Sequence, residues 1–283
     1  MQRTRMRGSS RPTREDAGVR PYSVPTSLGG ECAPSFRSHQ FLISNRSSQI
    51  ASEDPKALLV FSGCALVPHV AYSKLTLMRF FGTRGYTSPL SATSEGESYL
   101  RFARTTGLLP PADSFTRATT EDAALDSFQN VLFSVARFRE LTGAYPTRIT
   151  IVGHNFKRRR FEQLHRRALR WPMLHFTYEG IPLRTEADER EAASGEVREM
   201  YFLRFSDLTL FFSLSPQLVN AFTPYSTDLY GCHAPLVRKR AGRNFHARTH
   251  GYHVGAPEMR ELLEWCPNDG TRIFSGALPW TKE

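Results

Sequence analysis

Four consecutive cations, Lys157, Arg158, Arg159 and Arg160, follow the strand-like Arg148-Ile-Thr-Ile-Val152 and its closing Gly153, at what the pattern makes the first turn of a helix. A helix start is already positive because its first N–H groups lack partners. Each cation there costs a few tenths to about 1 kcal/mol unless an anion offsets it. Strand, glycine and helix start is also the arrangement that grips phosphate or carboxylate at the carboxyl end of a parallel sheet. The chemistry this spacing predicts is binding of an anion.

Side-chain direction divides the four. At about 100° per residue, Phe161, Leu164, Ala168 and Trp171 make one buried face, with Lys157 at its centre and Arg160 about 60° to one side. Arg158 lies about 100° to the other side and Arg159 nearly opposite, by the same helical geometry. Lys157 and Arg160 are therefore expected to point toward the sheet edge, and Arg159 to solvent. The plain alternative is a solvated basic face whose stems lie over apolar surface. Further polar groups are expected at the same edge: Gly63 closing the first strand, Thr83 and Arg84 after it, Ser94 and Glu95 at a helix start, and Asn130, one helical turn beyond Asp126. Glu95 is the acid best placed among them, although a carboxylate in a first helical turn also serves the helix dipole.

The elements that must carry these residues alternate. Ala57 to Phe61 is a continuous apolar run closed by Ser62-Gly63, as in a strand buried on both faces. Ser94 followed by Glu97 has capping-box spacing and opens a helix ending near Gly107. Thr119 with Asp122 is expected to cap a longer helix through Val131, Val135 and Phe138, stopping at Gly143. Strand 148–152, a helix over about 156–170 ended by Trp171-Pro172, and a strand over 174–178 complete an α/β layered domain with a parallel sheet. Residues 1–52, rich in Ser, Arg, Pro and Gly, read as a mostly irregular tail. Residues 53–180 read as the core and 181–283 as a C-terminal extension, with an acidic helix or loop at 186–196, a helix at 258–265, and Trp265, Phe274 and Trp280 as its anchors.

The 283 residues are enough for one large or two modest domains, and 40% hydrophobic with 23% charged residues excludes wholesale disorder, collagen and coiled coil. The net charge of +10 is regional. Met1–Val24, Arg148–Arg170 and Val237–His250 hold the surplus, so the remainder is acidic and local anionic partners or solvated tails follow. Four scattered cysteines with no C-x-x-C pair and no apolar leader point to free core thiols in a reducing compartment, the cytoplasm ahead of the mitochondrion. The longest uncharged run, Leu208 to Thr227, is too polar to span a membrane, so no membrane partner is expected. Histidines 246, 250 and 253 with Cys232, His233 and Cys266 lack zinc spacing, and no metal site is expected. No G-x-S-x-G, Walker loop or G-x-G-x-x-G occurs.

Together Ala57–Gly63 (ALLVFSG), Ser94-Glu95, the Asp126-Ser-Phe-Gln-Asn130 step, Phe156–Phe161 (FKRRRF) and Asp228–His233 (DLYGCH) resemble the fungal-type branch of the SanA/YdcF-like domain of unknown function. The resemblance implies a Rossmann-like three-layer α/β fold and no assigned reaction or cofactor. It puts the family's Ser-Glu on Ser94 and Glu95, its Asn-Thr-x-Glu-Asn step on Asp126 to Asn130 with only Asn130 identical, and its His and Arg on Lys157 and Arg160. Lysine in place of histidine suits anion binding better than proton transfer. Against the family pattern, the opening strand before Ala57 is missing and segments 64–81 and 197–219 interrupt it. Both read as unspliced introns behind a mis-set start, with genuine surface loops as the alternative. The expected partner is a small anionic or nucleotide-type ligand. Nucleic-acid binding through the basic segments and a degenerate, non-functional product are the alternatives, and whether the chain is an enzyme is left open.

Overall fold

The apolar run beginning at Ala57 becomes β1 (Leu59–Ser62), and its partner is the threonine-rich β2 (Ala118–Glu121), parallel to it in the register Leu59↔Ala118 to Ser62↔Glu121. This computed structural model describes residues 34–62, 93–197, 222–244 and 246–281. Parallel strands need a crossover. Here the crossover includes α2 (Glu95–Thr105), whose N-cap Ser94 accepts a hydrogen bond from the Glu97 N–H, as the capping spacing predicts. A second parallel pair follows the same plan: β3 (Ile149–His154) and β4 (Phe176–Ile181), in the register Ile149↔Phe176 to His154↔Ile181, joined through helical turns. The chain is thus a mixed helix and strand protein with short parallel sheets. Among the described residues the strands form two separate pairs.

Three local readings differ. Thr119 and Asp122 do not cap α3 (Ser127–Thr142). Thr119 and Thr120, β-branched and suited to a pleated ladder, lie in β2, and Asp126 is the N-cap, its side chain accepting from Gln129 N–H at 2.9 Å. The far end is as expected, with Gly143 in the left-handed region at φ 74°. Pro34–Glu53, read as irregular, is a 20-residue helix, α1, that packs against β1, β3 and β4. Its inward stripe is Ser44, Ser48 and Ala51, which are small rather than apolar, and Ser47 and Ser52 turn their hydroxyls onto the carbonyls four residues back. A hydrophobic pattern cannot disclose such a face.

The third difference bears on the site. The helical stretch after β3 is not a uniform α-helix: a 3-10 turn at Asn155–Lys157, a π-helical turn at Arg160–His165 and the short α4 (Arg166–Ala168) follow one another. Residues advance by more than 100° in the first and by less in the second, so the helical-wheel phase slips along it.

Beyond β4 come α5 (Glu186–Val197), α6 (Phe222–Thr227), α7 (Leu236–Ala241), α8 (Tyr252–Gly255) and α9 (Arg260–Leu263). They share one core with the preceding elements: Phe128, Leu132 and Val135 of α3 and Leu164 and Trp171 pack with Tyr225, Leu229, Leu236, Met259 and Leu262. Of the expected anchors, Phe274 is buried, Trp265 meets it edge-on, and Trp280 lies 4.7 Å from Trp171 and donates its indole N–H to the Leu169 carbonyl. A smaller cluster of Ala51, Phe61, Ala103, Leu109 and Phe115 seals α1 and α2 onto β1.

Candidate anion-binding site

The sequence-predicted residues fall into two groups. Ser94 and Glu95 stand at the start of α2, which rests on the carboxyl ends of β1 and β2: a Cβ on Gly96 would press on the Phe61 carbonyl oxygen and lie 3.2 Å from that of Glu121. Ser94 is fully buried and its hydroxyl donates to Asp122, which also accepts from Thr120 at 2.7 Å. Glu95 is buried beside Tyr99, whose phenol is held well above its ordinary value by burial and then by the Glu95 charge. Asn130 is half-buried on α3, and its carbonyl lies 3.4 Å from the Ser62 hydroxyl. Gly63, Thr83 and Arg84, the insert at 64–81, nearly all of that at 197–219 and the first 33 residues lie outside the described residues.

The second group is the cation run. Arg159 is exposed over the Phe222 ring, as its position on the helix predicts. Arg158 is structural, donating to the Tyr178 carbonyl at 2.6 Å and pairing with Glu162 at 3.3 Å. Arg160 is the inward residue, at 2% exposure. Lys157, expected at the centre of the buried face, is half-buried with its ammonium 5.6 Å from the Phe156 ring; the 3-10 and π turns shift that centre to Arg160. Gly153 is not a phosphate-gripping loop glycine. It lies within β3, paired with Gly180, and a Cβ there would come within 2.7 Å of the Tyr178 hydroxyl, which donates to the His154 carbonyl.

Three cations with no place in the sequence-predicted site join Arg160: Lys239 and Arg240 on α7 and Arg243 just after it. They fold back onto the N-terminus of α3. Arg240 Nε donates to Asp126 at 2.6 Å and its guanidinium to the Tyr230 carbonyl, while Arg243, 6% exposed, donates to the Leu125 carbonyl at 2.7 Å. The Lys239 ammonium is pushed well below its usual range by burial first, then by the Arg243 and Arg160 charges and, more weakly, Lys157, with Asp126 opposing them. The same Asp126 is held at about 2. Burial alone would raise it, and the Arg240 cation overrides that with its charge and hydrogen bond. The buried Arg160 and Arg243 and the half-buried Lys239 and Arg240 thus lie around the start of α3 with Asp126, and Arg240 already engages that acid. The sequence marks Val237–His250 as basic, but no spacing rule links it to a helix start 114 residues earlier.

Ser127 and His165, buried at the same helix start, are 2.9 Å apart through Oγ and Nε2. This is not a nucleophile and base. His165 is wholly enclosed by Phe128, Phe161 and Tyr225, and the neighbouring Asp126 serves as cap and Arg240 partner rather than bonding Nδ1. Burial, then Arg160, holds its imidazole neutral, well below the usual histidine range. A third buried group the sequence did not disclose is Glu121, at the carboxyl end of β2. It accepts from Ser62, Tyr252 and the Ala123 and Ala124 N–H groups, yet burial raises it to about 7.

Cys232 and Cys266 are joined by a disulfide, which corrects their reading as free core thiols. Such a bond belongs to oxidising surroundings or, in the cytoplasm, to redox chemistry. Among the described residues no helix is long and apolar enough to cross a membrane.

No protein-family model matches this chain, and no solved structure matches it. Over 155 residues it is 32% identical to the uncharacterized protein YOR238W of Saccharomyces cerevisiae. That alignment takes in 55% of this chain and 44% of the yeast protein, so the chain spans less than half the length of that relative.

Proposed function

We propose that this chain is a SanA/YdcF-like protein with a Rossmann-like three-layer core that binds a small anionic or nucleotide-type ligand at the carboxyl edge of its strands. Arg160, Lys239 and Arg243 grip the ligand, with Lys157 at the rim. Two consecutive strand–helix–strand units with parallel pairing, and α1 lying against both pairs, support the fold. The observation that carries the function is the gathering of cationic side chains around the start of α3, with Arg160 and Arg243 buried and Lys239 and Arg240 half-buried. Concentrating positive charge where water is scarce is unfavourable in itself; Asp126 offsets part of it, and a bound anion adds further counter-charge. Because Arg160 and Arg243 face inward, this cluster cannot lie along a nucleic-acid backbone, which favours the small ligand over nucleic acid.

The test is a thermal-shift and calorimetric titration of the full chain with inorganic phosphate, pyrophosphate and adenosine monophosphate. Near a hundredfold excess over Kd, binding adds roughly 3 kcal/mol, which raises the Tm by several degrees. Arg160→Ala and Lys239→Gln should each weaken the preferred anion by about tenfold or more, and Arg159→Ala should leave it unchanged. No shift with any anion, or equal losses in all three variants, refutes the reading.

A further inference from the structure

The disulfide lies one turn from this cluster. Cys232 ends the turn 228–232, where Asp228 accepts from the Cys232 and His233 N–H groups and Gly231 sits at φ 69°. The Arg240 guanidinium packs against Gly231 and donates to the Tyr230 carbonyl at 2.6 Å, so this turn fixes the residue that engages Asp126. Cys266 is exposed, and Cys232, Cys266, Gly231 and Arg240 line one cleft of about 200 Å³. The other ties between the turn and the segment after α9 are hydrogen bonds from Leu229 N–H to the Gly270 carbonyl, between His233 and the Pro267 carbonyl and from Phe274 N–H to the Tyr230 hydroxyl, together with the buried packing of Leu229 and Tyr230 against Phe274 and Leu278.

We propose that the Cys232–Cys266 bond is a thiol-exchange site that sets the position of Arg240 and thereby the strength of anion binding, the second half of which rests on the function proposed above. A dithiol reductant supplies the electrons. Its thiolate attacks the exposed Cys266 sulfur, the S–S bond breaks, and Cys232 leaves as a thiolate into the cleft that Arg240 lines. The second thiol of the reductant then displaces Cys266. The protein gains two electrons and two protons, and the reductant closes to a disulfide. With the covalent tie gone, Leu229 and Tyr230 stay anchored in the core, while the Gly231–His233 end of the turn is held by hydrogen bonds, loosens, and holds Arg240 less firmly beside Asp126.

The experiment compares the oxidised full chain with the same chain reduced by dithiothreitol, using inorganic phosphate as probe and amide hydrogen exchange over residues 228–243. Because Lys239 precedes Arg240 on α7 and Arg243 follows just after it, loosening Arg240 displaces two of the cations assigned to the anion, so reduction should weaken phosphate by about tenfold, the scale of one charge-assisted hydrogen bond, and lower protection in that segment. Cys232→Ser should resemble the reduced form and no longer respond to dithiothreitol. Unchanged affinity with unchanged protection overturns the proposal, as does an equal response of Cys232→Ser to the reductant. Protection lost on reduction with no phosphate bound by either form upholds release of the turn while refuting the anion site.

Discussion

Replacing Asp126 by asparagine isolates the charge that holds the site together. Asparagine caps a helix as well as aspartate, so the bond from Gln129 N–H is kept and only the negative charge is lost. The Asp126 side chain is fully shielded and that of Arg240 is 18% exposed, at an Nε–O distance of 2.6 Å. Lowering the carboxyl from its ordinary 3.8 to about 2 corresponds to a preference for the ionised form on the order of 2 kcal/mol. Removing one partner of a buried pair typically costs about 3–5 kcal/mol, because the other charge is left stranded. With Arg240 partly in contact with water and still bonded to Tyr230, a loss of about 2–3 kcal/mol is expected in urea unfolding at pH 7. The sign of the pH dependence follows. A carboxyl depressed in the folded state adds stability above its unfolded pKa and loses it as pH falls toward 2, so Asp126→Asn should flatten the wild-type decline between about pH 4 and 2. Arg240→Met should cost less in the Asp126→Asn background than in the wild type. A loss under about 0.5 kcal/mol at pH 7, or strictly additive variants, would show that the pair does not carry the energy assigned to it.

Glu121 works in the opposite direction: held at about 7 by burial, it binds its proton more tightly folded than unfolded. Stability should fall by up to about 3 kcal/mol as pH rises from 4.5 to 7. Glu121→Gln should remove that slope, and melting curves of both proteins between pH 5 and 8 decide it, since an identical slope in the variant places the titration elsewhere. Gly96→Ala should destabilise by about 1–3 kcal/mol in urea, because the added methyl group drives the first turn of α2 off the Phe61 and Glu121 carbonyls. A stabilised variant would mean that α2 does not seat on the strand ends as described.

Much of the local structure is legible in the chain itself, because it is set by neighbours in sequence. The apolar run of β1, the Ser94 cap, the Gly143 stop, the inward Arg160 and outward Arg159 and the anchoring aromatics follow from periodicity, capping chemistry and volume. Where local signals mislead, a tertiary contact is the cause: the small serine and alanine face of α1 is set by its packing on the strands, and Gly153 makes room for Tyr178 rather than for a ligand. The arrangement that gives the cations their meaning lies beyond any local rule. Sequence could show that Lys157 and Arg160 at a helix start need an anion, and that Val237–His250 is basic. Only the folded chain brings Lys239, Arg240 and Arg243 onto the start of α3. Electrostatic energy depends on distance and on exclusion of water, and both are fixed by packing between segments more than a hundred residues apart.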